Sequence, residues 1–240
     1  SYASSDYLAG YYESMDNWPQ LTTYPYGCAK RTGQKKVDRV IEPVLNYSKR
    51  FADRHYVTLM SGYSYNDYVE ESFSAANRGF VTDIFSYNRL DAGELIEQGQ
   101  FTDAVESYKE SNKLIAFFGR ANYSYDGKYM ASVSLRREGS SRFGKGNKWG
   151  NFPAVSAAWT ISREPFMQNI DFIDNLKIRY GFGVTGNEPS SNYIALTRMG
   201  KYGYWLYNGE WKSGFLASSN PNPYLRWEKK AEHNLGIEGI

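Results

Sequence analysis

Hydrophobic and polar residues alternate along four stretches of this chain, the first two forming a hairpin pattern. In residues 114–125 the positions Ile115, Phe117, Ala121, Tyr123 and Tyr125 share one parity, with Ala116, Phe118, Arg120, Asn122 and Ser124 on the other. After Asp126-Gly127 the pattern resumes: Tyr129, Ala131, Val133 and Leu135 alternate with Met130, Ser132, Ser134, Arg136 and Glu138. Residues 151–162 and 176–185 repeat it, the latter setting Leu176, Ile178, Tyr180, Phe182 and Val184 against Lys177, Arg179, Gly181 and Gly183. Successive side chains of a strand point to opposite faces, so each stretch predicts a strand with one apolar and one polar face. Strands of about ten residues with this alternation suit a transmembrane β-barrel. A soluble sandwich uses the same pattern, because alternation does not distinguish lipid from a protein core.

The rest of the chain is read against these strands. Residues 1–36 hold Gly10, Pro19, Pro25, Gly27 and Gly33 and read as loop. A first strand is expected over 37–51. Its face is ambiguous, because Ile41, Leu45 and Tyr47 share one parity and Val40 and Val44 the other. A second strand starts at Val57, with Leu59, Tyr63 and Tyr65 opposed to Thr58, Met60, Gly62, Ser64 and Asn66. Residues 68–112 are acidic and read as a long functional loop with a short helix over 90–98. Residues 164–175 read as an amphipathic helix bearing Phe166, Ile170 and Ile173. A second long loop is expected over 186–230, and a last strand begins at Ala231.

Short connections at 52–54, 126–128 and 163–175 alternate with long ones at 67–112 and 186–230 and an intermediate one at 139–150. That rhythm fits an up-and-down barrel with short periplasmic turns and long external loops. About seven strands are expected. The odd number predicts a segment of a larger antiparallel barrel, since single-chain bacterial barrels have even counts.

Composition adds a little. Of 240 residues, 22 are Tyr, 13 Phe and 6 Trp, types that favour strands and membrane interfaces. The net charge of +2 gives no argument for nucleic acid. No apolar run reaches the length of a transmembrane helix. Cys28 is the sole cysteine, so no intrachain disulfide is available. The only histidines, His55 and His233, sit in no metal-spaced or triad-like cluster. No catalytic, cofactor-binding or metal-ligating residue is assigned, and the chain reads as a non-enzyme. The glycine-rich stretch 139–150 lacks the order of a phosphate-binding loop. It reads as a hairpin loop kept wet by Arg142 and Lys148.

Several blocks then carry a resemblance. Arg136-Arg-Glu-Gly-Ser-Ser-Arg-Phe-Gly144, Trp149-Gly-Asn-Phe-Pro-Ala-Val-Ser156 and Glu164-Pro-Phe-Met167 occur in order. Leu176-Lys-Ile-Arg179, Tyr180-Gly-Phe-Gly-Val-Thr-Gly-Asn187 and Leu225-Arg-Trp-Glu228 follow. Together they resemble the SusC/RagA family of TonB-dependent outer-membrane transporters, over about residues 113–240. The resemblance implies a large barrel of about 22 strands that holds a plug, multi-pass in the outer membrane of a Gram-negative bacterium. It implies a SusD-like surface lipoprotein as partner, glycan or peptide substrates, and drive from TonB. The expected domain is a partial receptor β-barrel over 1–240, without plug, TonB-contacting segment or closing C-terminal strands.

Two sets of residues are candidate sites. Tyr202, Tyr204, Trp205, Tyr207 and Trp211 form an aromatic loop cluster suited to sugar rings or peptide side chains, or to packing against the lid or neighbouring loops. Arg120, Asn122, Arg136, Glu138, Lys177 and Arg179 are expected to face the lumen. Trp149, Trp159 and Trp227 are expected in structural or interface-belt roles. The rival reading is a soluble extracellular β-sandwich that binds carbohydrate.

Overall fold

The computed structural model describes residues 1–14, 27–100, 104–167 and 173–239. Among these residues there are eleven strands: β1 (Tyr2–Glu13), β2 (Gly27–Ile41), β3 (Val44–Phe51), β4 (His55–Phe80), β5 (Val105–Tyr125), β6 (Tyr129–Ser140), β7 (Trp149–Thr160), β8 (Leu176–Asn187), β9 (Arg198–Tyr207), β10 (Glu210–Ser219) and β11 (Glu228–Gly239). The pairings are antiparallel. The segment is therefore all-β, and its sheet is open. The count exceeds the expected seven for a reason visible in the residues. The strands that alternation missed carry no one-sided apolar rhythm: most of β2 is polar on both faces, and β1 and the β9–β10 pair carry aromatic residues on both.

Two compact units divide the chain. The first holds Ser1–Arg39 and Asp67–Ser111. It contains β1, expected as loop, which pairs with β2 from Tyr2↔Arg39 to Glu13↔Cys28. The expected loop 68–112 shrinks to a connection between β4, which runs to Phe80, and β5, which starts at Val105. Instead of a helix over 90–98 there is one 3-10 turn, Leu90–Ala92. Polar bonds hold this unit. Buried Glu70 accepts hydrogen bonds from Gln34 Nε2 (2.7 Å), the Tyr108 hydroxyl (2.7 Å) and the Tyr68 hydroxyl (2.5 Å). Asn77 Nδ2 donates to the carbonyls of Leu90 (2.8 Å) and Gly93 (2.6 Å), fastening the connection to β4.

The second unit holds Val40–Asn66 and Asn112–Ile240. Its main sheet runs β3-β4-β5-β6-β7-β8-β11, with β9 and β10 as a separate ribbon. The strand expected over 37–51 is the end of β2 plus β3. Pro43, which has no N–H to donate, separates them, yet its carbonyl still accepts from Tyr63 N (3.2 Å). Among the described residues of the amphipathic helix expected over 164–175 there is no α-helix. Two 3-10 turns, Ile161–Arg163 and Pro165–Met167, stand in its place, and residues 168–172, including Ile170, lie outside the described residues.

The register of this unit puts every apolar set on one face. Phe117, Ala121 and Tyr123 pair with Arg137, Val133 and Ala131, and Val133 pairs with Val155. Val155 pairs with Phe182, and Phe182 with His233. Among the described residues nothing covers this face. Val133 is 53% exposed, Leu135 51% and Leu235 71%. A sandwich would bury these side chains under a second sheet.

Candidate functional site

The uncovered face is organised along its height. At the end bearing the short turns, Tyr125 stacks on Tyr129 and Tyr129 on Trp159, with ring centroids 6.3 and 6.4 Å apart. Toward the other end Tyr63, Phe117 and Trp149 form a second aromatic line, at 5.2 and 6.4 Å. Between the lines lie Leu59, Ala121, Val133, Leu135 and Val155. From Trp149 to Trp159 on β7 there are about ten steps of ~3.3 Å, which at a tilt of ~40° gives about 25 Å of height. Two aromatic girdles bounding an aliphatic band of that height match the lipid-facing surface of a transmembrane barrel. Trp149 and Trp159 lie one in each line.

Glu164 anchors the lower girdle. Its Oε1 accepts from the Tyr129 hydroxyl (2.6 Å) and Trp159 Nε1 (3.0 Å), and Lys128 Nζ lies 3.5 Å from Oε2. The Tyr129 bond first, and then that of Trp159, holds the Glu164 carboxyl below the ordinary glutamate range. A lowered folded pKa stabilises above the unfolded value. The contribution is complete at neutral pH. It begins to fade below about 4.3 and is gone once pH has fallen past the lowered pKa. Acid titration of the folded full-length protein should therefore lose part of its stability in that window, and Glu164→Gln should remove that part of the pH dependence.

The opposite face is polar and carries the residues expected toward a lumen. Arg120, Asn122, Arg136, Glu138, Lys177 and Arg179 all lie on it. Arg136 pairs with Glu138 through Nε (2.8 Å) and Nη2 (3.0 Å). Lys177 and Arg179 share Glu238, at 3.9 and 3.3 Å. Asn122 Nδ2 donates to Thr58 Oγ1 (2.8 Å). One cross-strand row, Ser48, Thr58, Asn122, Ser132, Ser156, Gly181 and Asn234, is uncharged throughout. Shallow hollows of about 490 and 430 Å³ lie along it.

The aromatic cluster is not a loop but the β9–β10 ribbon. Its turn is Asn208-Gly209, both residues at positive φ (51° and 78°), as a type I′ hairpin turn requires. This dipeptide between aromatic runs was the available signal for the hairpin. Register splits the cluster. Leu206 faces Trp211 and Tyr204 faces Ser213 on one side. Trp205 and Tyr207 lie on the other, with rings 5.5 Å apart. Tyr202 adjoins the register shift at Gly203, whose φ is +62°. All five aromatics are exposed.

The hairpin loop expected at 139–150 does join β6 to β7, and Lys148 is exposed, but the loop is not wet throughout. Phe143 is 2% exposed and packs with Phe152 and Trp227. The Phe143 and Phe152 rings lie 5.0 and 5.2 Å from Trp227. Arg142 Nε donates to Asn192 Oδ1 (2.9 Å), and its Nη1 donates to Glu188 Oε1 (2.8 Å) and the Pro189 carbonyl (2.9 Å). Trp227 Nε1 donates to the Lys148 carbonyl (2.9 Å). A Cβ on Gly186 would meet the Phe152 ring at 2.1 Å, so only glycine fits there. Motif blocks far apart in sequence thus meet in one knot that ties three connections together. The knot brackets both legs of the β9–β10 ribbon, since Asn222 N donates to the Ile194 carbonyl (3.4 Å). Among the described residues no group of His, Cys, Asp and Glu is arranged to hold a metal ion.

Known proteins share this arrangement. A family model described as TonB dependent receptor-like, beta-barrel, matches residues 2–239. TonB-dependent receptor P39 of Formosa agariphila is 36% identical over 200 residues, covering 82% of this chain and 18% of that protein. TonB-dependent receptor SusC of Bacteroides thetaiotaomicron is 32% identical over 140 residues, 55% of this chain and 14% of that protein. The solved structure of the RagAB peptide transporter superposes with a TM-score of 0.85 at 22% identity, covering 99% of this chain and 25% of that one. The chain spans about a fifth of the length of the curated relatives it matches. On the family match and these relatives, the chain belongs to the TonB-dependent receptor-like β-barrel family.

Proposed function

We propose that both units are parts of one receptor barrel domain over residues 1–240, in an outer-membrane importer of nutrients. The observation that carries this reading is the uncovered apolar face, aliphatic between two aromatic girdles and backed by a polar face. The importer would take up glycans or peptides with a SusD-like surface lipoprotein, in a Gram-negative outer membrane. TonB would act through parts of the parent protein outside this chain. A receptor named SusC and a structure titled RagAB peptide transporter among its likenesses support import in general. They leave glycan and peptide as two substrate classes. The polar face would line the lumen, with Arg120, Asn122, Arg136, Glu138, Lys177 and Arg179 toward a plug. Of the two faces of the β9–β10 ribbon, that of Trp205 and Tyr207 offers adjacent rings to substrate. The face of Tyr204, Leu206 and Trp211 offers the broader apolar surface to the lipoprotein.

The test uses the full-length parent in its native host. It should fractionate with outer membranes, resist salt and carbonate washes and need detergent for release. A soluble monomer would overturn the reading. Trp205→Ala with Tyr207→Ala should weaken substrate binding about tenfold, roughly 1.4 kcal/mol, at unchanged surface level. Trp211→Ala should instead reduce recovery of the lipoprotein with the barrel.

A further inference from the structure

The polar edge of the apolar face carries a cation with a seat but no acidic partner. Arg137 follows Leu135 on this face of β6, at the rim where the aliphatic band ends. Its guanidinium lies over the Trp149 ring, 5.3 Å from the centroid. The ring is itself held in place. It stacks on Phe117 at 6.4 Å, and a Cβ on Gly139 would meet it at 2.9 Å. Lys113 is exposed on the same face of β5, two residues beyond Ile115. Ile115 pairs with Gly139, and Gly139 with Trp149, so Arg137 and Lys113 sit on the rows either side of the Trp149 row. Among the described residues, neither takes part in an ion pair, whereas neighbouring Arg136 is paired with Glu138.

A guanidinium stacked on an aromatic ring keeps its N–H edge free, and that edge matches a phosphate. We propose that Arg137, Lys113 and Trp149 form a binding site for the phosphate of an anionic membrane lipid at the rim of the apolar band. The lipid's acyl chains lie along Leu135, Val133 and Val155. The occupant is a lipid because exposed aliphatic surface begins at the next outward residue from the cation and continues down the strands. The proposal rests on reading this face as lipid-facing.

The test is native mass spectrometry of the full-length protein, extracted from outer membranes, stripped of lipid and offered phosphatidylglycerol or phosphatidylcholine. The wild type should retain phosphatidylglycerol about tenfold more strongly than the Arg137→Gln, Lys113→Gln double variant. Lys230→Gln, on the polar face, should behave as wild type. Phosphatidylcholine, whose phosphate is neutralised by its own choline, should be held weakly and equally by all three. Equal retention of phosphatidylglycerol by the double variant overturns the site. Retention of phosphatidylcholine as strong as that of phosphatidylglycerol also overturns it, because acyl contact alone would then be the cause. Displacement of the lipid by millimolar inorganic phosphate overturns it as well, since the site would then serve a free anion. Failure of the underlying reading looks different: the protein would not be found in the outer membrane at all.

Discussion

Replacing Val133 by arginine should destabilise the inserted barrel by about 2–4 kcal/mol, the cost of a basic side chain at the midplane of a lipid-facing wall. Val133 is more than half exposed on β6, between Ala121 and Val155. Refolding of the full-length protein into lipid vesicles, followed against urea, measures the cost. Ser134→Arg, one residue along on the polar face, should cost far less. A third variant separates lipid from core. Val133→Trp should be nearly neutral against fluid acyl chains, whereas overpacking a protein core would cost about 1–3 kcal/mol. A tryptophan as damaging as the arginine would mean that the face is covered by protein.

Phe143→Ala should cost the loop knot about 3–5 kcal/mol, as for other buried phenylalanines cut to alanine. The loss is local, because the knot opens without the sheet. Hydrogen exchange should therefore quicken around residues 141–148, 188–196 and 220–227, and protease should cut there, while the main strands keep their protection. Removing Arg142 should act on the same segments, since its three acceptors all lie within 188–192. Unchanged exchange in these segments would show that the three connections are held by something other than the aromatic knot.

These two sites mark what the sequence made legible. Alternation is imposed only where one face of a strand meets an apolar medium and the other meets a polar one. Residues 114–185 obey that constraint, so their strands and faces could be read directly. Most of β2 is polar on both faces, with Arg31, Gln34 and Lys36 among them, and β1 mixes Tyr7, Leu8, Tyr11 and Tyr12 with polar residues on both. No periodic signal was left, and these strands passed for loop. The β9–β10 ribbon failed for the opposite reason: aromatic residues on both faces also erase the alternation, and only Asn208-Gly209 marked its turn. The knot escaped because a lone Phe143 among glycines has no local apolar partner. Its partners, Phe152 and Trp227, lie 9 and 84 positions away. The motif blocks identified the family while the reason for their co-occurrence stayed hidden until they met in space. Of the candidate site residues, those expected on the polar face followed from parity alone. The aromatic set needed a register that parity did not supply.

The uncharged row from Ser48 to Asn234 has a consequence for ionic strength. A body or solute resting on it would exchange neutral hydrogen bonds, each worth about 1 kcal/mol net. Salt screens charges but leaves such bonds almost untouched. Any salt sensitivity of events at this face must therefore enter from the neighbouring rows, through Arg120 and Glu232 on one side and Arg50 and Arg179 on the other. Between those rows the wall has the same grip in brine as in dilute buffer.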